Sequence, residues 1–214
     1  MTYAERAQHT WKTIGPLLLK NYKRDATFLE YSTPWQLLVA VILSAQTTDD
    51  MVNKETPDLF AAYPTPGALA KAPLAKIQSY INRLSFFRVK AGYIKRTAAM
   101  IVNTFDGVVP HTPEALQTLP GVGRKTAVAV ISNLYDNNIG IAVDTHVIRF
   151  AKRFALSRAT DPSKIEQDLC ALIPKKDWKR ASYAMKEYGR REGKARGYKP
   201  EMDPLMVLYK KCLL

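Results

Sequence analysis

The most apolar run of the chain is Leu37–Leu43, seven residues closed by Ser44. A helix that crosses a membrane needs about 20 such residues, so this run predicts a buried helix. Elsewhere, segments rich in Ala, Leu, Lys and Gln follow helix-start signals. Thr33-Pro34, Thr65-Pro66, Thr112-Pro113 and Asp161-Pro162 each set a capping side chain before a proline. Proline in the first helical position sacrifices no hydrogen bond, because its missing N–H would be unpaired there anyway. Thr33-Pro34-Trp35-Gln36 also has the capping-box pattern. No Asn-Gly turn separates alternating strands, and the one β-like stretch, Ile139–Val143, is short. The pattern predicts an all-α chain of roughly ten helices. They fall near 3–20, 34–45, 49–62, 66–71, 73–81, 88–104, 113–119, 123–134, 145–156 and 162–172, with more after 177.

Residues 112–134 read TPEALQTLPGVGRKTAVAVISNL. A short amphipathic helix ends at Leu119, and a second carries Ala127, Val128, Val130 and Ile131. Gly121 and Gly123 are expected to supply the unusual backbone angles of so tight a turn. They also leave backbone N–H groups bare at the start of the second helix, where the helix dipole favours an anion such as a phosphate. Arg124 and Lys125 follow at once. This is a helix-hairpin-helix, which grips a nucleic-acid backbone without reading bases.

Composition agrees with a nucleic-acid partner. The chain has 214 residues, 47% hydrophobic and 24% charged, enough for one domain or two small ones. It carries 32 Lys+Arg against 19 Asp+Glu, net +13, with a pI near 9.7, which points to a polyanion. Residues 149–214 hold net +9 of this and residues 1–148 net +4, and that shift is the one hint of a subdivision. The N-terminus has no apolar secretory segment. Cys170 and Cys212 make no disulfide framework and cannot alone fill a four-Cys site. A reduced cytoplasmic location is expected. The three His and two Cys have no metal-ligand spacing. His9 and His111 are expected to be exposed, and Trp11, Trp35 and Trp178 to pack in the interior.

Lys125 sits in the first turn of the second hairpin helix, and Ile141-Ala142-Val143-Asp144-Thr145-His146 leads from an extended stretch into another helix. Each residue alone has an ordinary reading: Lys125 as a phosphate contact, Asp144 as a helix cap. Together they suggest chemistry. A lysine amine attacks only when neutral, and a free lysine titrates near 10.4. A helix N-terminus and partial burial both oppose the ammonium form. An aspartate would accept the amine's proton or stabilise cationic charge on a sugar. Such an amine would displace a base from C1′ of deoxyribose, and the resulting Schiff base would break the strand by β-elimination.

At these residues the chain resembles the endonuclease III family of helix-hairpin-helix DNA glycosylases. LPGVGRKTA at 119–127, IAVDTH at 141–146 and LLVAVILSAQTTD at 37–49 carry the resemblance, which covers about residues 30–190. It implies two all-α domains with DNA in a cleft between them. Residues 27–137 would form a six-helix barrel holding the hairpin at 112–134. Residues 1–26 plus 138–214 would form the second domain. It implies Lys125 as nucleophile and Asp144 as catalytic carboxylate, with Gln46 filling the space of the flipped nucleotide. Leu119, Gly121, Val122, Gly123, Arg124, Thr145 and His146 would lie against DNA; for His146 alone, a structural role is the simpler reading. The implied partner is double-stranded DNA with damaged bases or abasic sites, and the implied activity is excision of oxidised pyrimidines with abasic-site cleavage. A monomer associated with the nucleoid is expected. The lysine at 125 argues against the adenine-excising relatives. An abasic-site lyase, a glycosylase of other base specificity, and a non-catalytic DNA-binding protein stand as alternatives; the last has no use for Asp144.

Two departures matter. The family usually ends in four closely spaced cysteines that bind a [4Fe–4S] cluster, whereas Gly189–Lys199 here contains none. No cluster is expected, although related hairpins hold a monovalent cation and this sequence permits one. Arg190, Arg191, Lys194, Arg196 and Lys199 would face DNA directly. Around Trp178, Tyr183, Met202, Leu205, Val207 and Leu208 the apolar spacing predicts packing in place of the cluster. The second departure is Ser85-Phe86-Phe87-Arg88, where the family has a loop that wedges into the duplex. Phe86 is the favoured wedge, with Phe87 as the alternative and Arg88 beside them.

Overall fold

The computed structural model describes residues 1–212 apart from positions 136 and 195. The chain divides into two compact units, one of Thr27–Asn137 and one of Met1–Ala26 with Asn138–Leu214. Among the described residues the regular elements are all helical.

The Thr27–Asn137 unit holds α2 (Pro34–Leu43), α3 (Asp49–Ala62), α4 (Pro66–Lys71), α5 (Leu74–Tyr80), α6 (Phe87–Thr104), α7 (Pro113–Gln117) and α8 (Arg124–Leu134). Eight of the ten residues of α2 are buried, as a helix apolar on all sides requires. It packs against α3, α6 and α8, so the most apolar run of the chain is the centre of this unit. The second unit holds α1 (Tyr3–Asn21), α9 (Thr145–Arg153), α10 (Pro162–Leu172), α11 (Trp178–Arg191) and α12 (Pro204–Cys212). Its core joins Trp11, Ile14 and Leu18 of α1 to Phe150, Phe154, Leu169, Tyr188 and Leu205.

The Thr/Asp-Pro signals at 33, 65, 112 and 161 start helices, whereas Thr56-Pro57 lies inside α3. The side chains of Thr33, Thr65, Thr112 and Asp161 accept N–H groups of the first turn, and proline follows each. The capping box expected at Thr33 is half made. The Gln36 side chain accepts from the N–H of Ser32, one residue before the cap, at 2.7 Å. A complete box forms instead at Thr2 and Glu5. Two further expectations need correction. α9 stops at Arg153 rather than 156, because Ala155 turns left-handed at φ 50. As the all-α reading has it, the short β-like stretch Ile139–Val143 forms no strand and leads into α9, with Ile141 and Val143 buried. Of the residues expected to pack after 177, Met202 and Val207 are exposed and Leu208 is half-buried. Leu205 and Tyr209, one turn apart, face the core of this unit.

Candidate nucleic-acid interface

The hairpin is α7, the turn at 118–123, and α8. Leu119 and Val122 are buried and anchor the turn from inside. Gly121 is glycine for two reasons: its φ is +80, and a Cβ there would meet the Tyr93 ring at 2.9 Å. Gly123 differs from expectation. Its φ of −98 with ψ −177 is ordinary extended backbone, and a Cβ would have open space around it. What Gly123 contributes is the absence of a cap. Eight helices, α1–α4, α7, α9, α10 and α12, spend first-turn amides on a Thr or Asp side chain. α8 has no side-chain cap, so the first-turn amides of Lys125 and Thr126 are not taken by a capping side chain and can meet an anion. Arg124 and Lys125 occupy that turn and are exposed. The partial burial expected of Lys125 is therefore absent: it stands on the solvent side of the helix start. The carbonyls of Leu119 and Pro120 accept Val122 N–H at 3.1 Å and Thr97 Oγ1 at 3.0 Å. Each keeps a second lone pair, which fits a monovalent cation.

Gln46 and Phe86 lie in the same unit, and both are exposed. Both are left-handed, with φ of 53 and 58. Phe86 is the N-cap of α6, where extended Ser, Thr, Asp or Asn is the rule, and it makes no capping bond. It is 62% exposed. Phe87 is half-buried beneath the Arg88 guanidinium, which lies 5.3 Å from its ring centre.

In the other unit Asp144 caps α9. Its Oδ1 accepts N–H bonds from His146 at 2.8 Å and Val147 at 2.9 Å. Oδ2 has no hydrogen-bond partner among the described residues. Thr145 is exposed beside it. His146 is half-buried, and burial pushes its ring below the usual histidine range. The ring rests on α11, where a Cβ at Gly189 would come within 2.5 Å of Nδ1. Arg149 reaches the same Nδ1 at 3.0 Å and donates to the Gly193 carbonyl at 2.9 Å. Within this unit His146 is a packing residue.

The basic stretch begins inside α11, not after it. Arg190 and Arg191 belong to the helix, and Arg191 pairs with Glu187 at 3.3 Å and Glu192 at 3.8 Å. Lys194, Arg196 and Lys199 are exposed beyond the helix end; position 195 lies outside the described residues. A [4Fe–4S] cluster takes four thiolates in most such sites. The chain has two cysteines, Cys170 in α10 and Cys212 in α12, and neither is in a disulfide. Among the described residues no group of three or more His, Cys, Asp or Glu could hold a metal ion. The donors present do not fit the cluster.

A polar clamp holds this stretch instead. Asp203, 1% exposed, accepts from Tyr188 at 2.5 Å and Tyr198 at 2.6 Å through Oδ2. Its Oδ1 accepts Leu205 N–H at 2.9 Å, starting α12. Arg153 of α9 donates to Tyr188 Oη at 3.0 Å and lies 3.5 Å from the centre of the Tyr198 ring. Burial, then the bond to Asp203, pushes the Tyr188 hydroxyl far up and Tyr198 to about 12. Gly193 closes over the clamp, since a Cβ there would collide with the Tyr188 ring. Sequence reading missed this device, although Asp203-Pro204 repeats the capping signal of Asp161-Pro162.

Residues 39–175 match the HhH-GPD superfamily of base excision DNA repair proteins. Endonuclease III of Synechocystis sp. is 48% identical over 174 residues, 81% of this chain and 80% of that one. Endonuclease III of Bacillus subtilis is 39% identical over 181 residues, 84% and 82% of the two chains. A solved structure of an endonuclease III–DNA covalent intermediate, an estranged-adenine complex, superposes with a TM-score of 0.90. It is 35% identical, over 97% of this chain and 99% of that one.

Proposed function

This chain belongs to the endonuclease III family of helix-hairpin-helix base-excision DNA repair proteins, and from that membership we propose that Lys125 is its nucleophile and oxidised pyrimidines in duplex DNA its substrates. The family activity is that of a DNA glycosylase and abasic-site lyase. The observation that carries the residue assignment is the uncapped start of α8 with Lys125 in its first turn. The open amides seat a phosphate of the damaged strand, and that seat brings the amine to the sugar. A monovalent cation on the Leu119 and Pro120 carbonyls would add positive charge there.

The neutral amine attacks C1′ of the flipped nucleotide. The bond from C1′ to the base breaks, and its electron pair leaves with the base, which gains a proton as the amine loses one. Asp144 takes up that proton or stabilises the cationic sugar, and its unbonded Oδ2 is the atom available. Opening of the sugar ring leaves an imine between Nζ and C1′. Loss of a C2′ proton expels the 3′ phosphate, and water then frees the lysine. Gln46 and Phe86 enter the duplex as the nucleotide leaves, while Lys194, Arg196 and Lys199 meet phosphates. The protein does this without an iron–sulfur cluster, as a monomer on nucleoid DNA in the cytoplasm. Among the described residues no helix is long and apolar enough to cross a membrane.

Borohydride trapping on a duplex with one oxidised pyrimidine tests the reading. The native protein should form a covalent adduct, and Lys125→Ala should form none. Tight binding without an adduct, on this duplex and on an abasic-site duplex, would leave a DNA-binding protein as the better description.

A further inference from the structure

Lys90 is the least expected residue of the Thr27–Asn137 unit. It is a lysine 4% exposed, and lysines are almost never that deep without a counter-charge. Its ammonium donates at 2.7 Å to the hydroxyl of Thr47. No carboxylate faces it among the described residues, and burial alone pushes the amine down to about 8. A methionine would fill the same space without that cost, so packing does not account for the lysine.

Its neighbours do. Thr47 follows Gln46, one of the two exposed left-handed residues in question. The backbone N–H of Lys90 donates at 3.0 Å to the carbonyl of Phe86, the other. That second bond is the ordinary first bond of α6, so it is the side chain of Lys90 that ties the Gln46 loop to the helix start carrying Phe86. The same face of α6 continues to the hairpin: Tyr93 lies against Gly121, and Thr97 donates to the Pro120 carbonyl. Residues 90, 93 and 97 are spaced by three and four and share one stripe of the helix. Asp106 and Ala155, the other left-handed non-glycine residues described, follow the ends of α6 and α9 and need no such explanation. Left-handed Gln46 and Phe86 persist only where the surroundings over-determine them.

We propose that Lys90 is a positioning residue for base excision, setting the loops of Gln46 and Phe86 in one register with the hairpin so that both enter the duplex together. The proposal rests on the reading of those two residues given above. It predicts that loss of the ammonium harms extrusion of the damaged nucleotide more than chemistry on a sugar already exposed.

The test is Lys90→Met, with Thr47→Val as a second variant that removes the acceptor and leaves the lysine. Two single-turnover rates are compared at saturating enzyme: excision from a duplex with one oxidised pyrimidine, and cleavage of an abasic site in single-stranded DNA. The ratio of the first to the second should fall by about tenfold to a hundredfold for Lys90→Met, and less for Thr47→Val. A 2-aminopurine opposite the lesion should lose its unstacking signal in parallel. A general loss of folding lowers both rates and leaves the ratio, so it does not imitate this result. An unchanged ratio in both variants, with native trapping through Lys125, overturns this proposal alone. No trapping by the native protein overturns the catalytic reading and this proposal with it.

Discussion

The hairpin before α8 and the stretch after α11 both offer positive charge to a polyanion, and they are built from opposite materials. The hairpin is made of main chain: open amides, a left-handed Gly121, and two carbonyls tied into the fold. The stretch after α11 is made of side chains: one buried carboxylate, two tyrosines and an arginine. Charge divides likewise. Residues 27–137 carry 10 basic and 8 acidic residues, net +2, and the rest of the chain carries 22 and 11, net +11. A site of amides needs little formal charge, because dipole and N–H groups supply the field. A site of cations on a loop needs its loop held, and here the holding costs a buried aspartate.

The two materials fail differently. The largest effect is expected at the clamp. Asp203→Ala strands the buried Tyr188 hydroxyl and the half-buried Tyr198 hydroxyl and uncaps α12, so urea unfolding should show a loss of about 3–5 kcal/mol. A loss under about 1 kcal/mol would mean that water or Arg153 replaces the carboxylate. Next is Gly121→Ala, which forces an L residue to φ +80 against the Tyr93 ring. It should cost about 1–3 kcal/mol and weaken DNA binding. Native stability and binding there would break the main-chain account.

Alkali separates the two regions without mutation. Tyr188 and Tyr198 titrate higher in the folded protein than the ordinary tyrosine value of 10.0. Their neutral forms are therefore favoured by folding. That stability is whole below pH 10.0 and drains away as pH rises from there toward about 12, where Tyr198 itself ionises. The melting temperature should fall over that window, and Tyr198→Phe should flatten the fall. Smaller still is the effect of replacing Lys194, Arg196 and Lys199 by alanine. The slope of log affinity against log salt should shrink by about 0.9 for each phosphate no longer neutralised. An unchanged slope would remove this stretch from the interface. Least of all, Gly123→Ala should shift stability by under about 0.5 kcal/mol, since its backbone is ordinary and its space open.

What could be read from the chain follows the range of the interactions. Helix starts are local, and the Thr-Pro and Asp-Pro pairs announced them; Asp203-Pro204 was legible by the same rule. The hairpin is local too, though Gly123 serves by leaving amides open rather than by bending the chain. The clamp is not local. Arg153, Tyr188 and Asp203 meet only once α9, α11 and α12 are packed, and nothing in their spacing announces it. Met202 and Val207 looked apolar enough for the interior, but α12 begins at Pro204 and its period turns Leu205 and Tyr209 inward instead. Lys90 was the least visible, because composition places lysines at the surface.

The clamp bears on how such a protein comes into being. A cluster-bearing domain waits for iron, sulfide and a carrier to deliver them, and until then its last loop has nothing to wrap. A loop gathered by Asp203, Tyr188, Tyr198 and Arg153 is fully specified by its codons. Its gathering draws on side chains of the chain itself, so the packing that folds the unit also holds the loop.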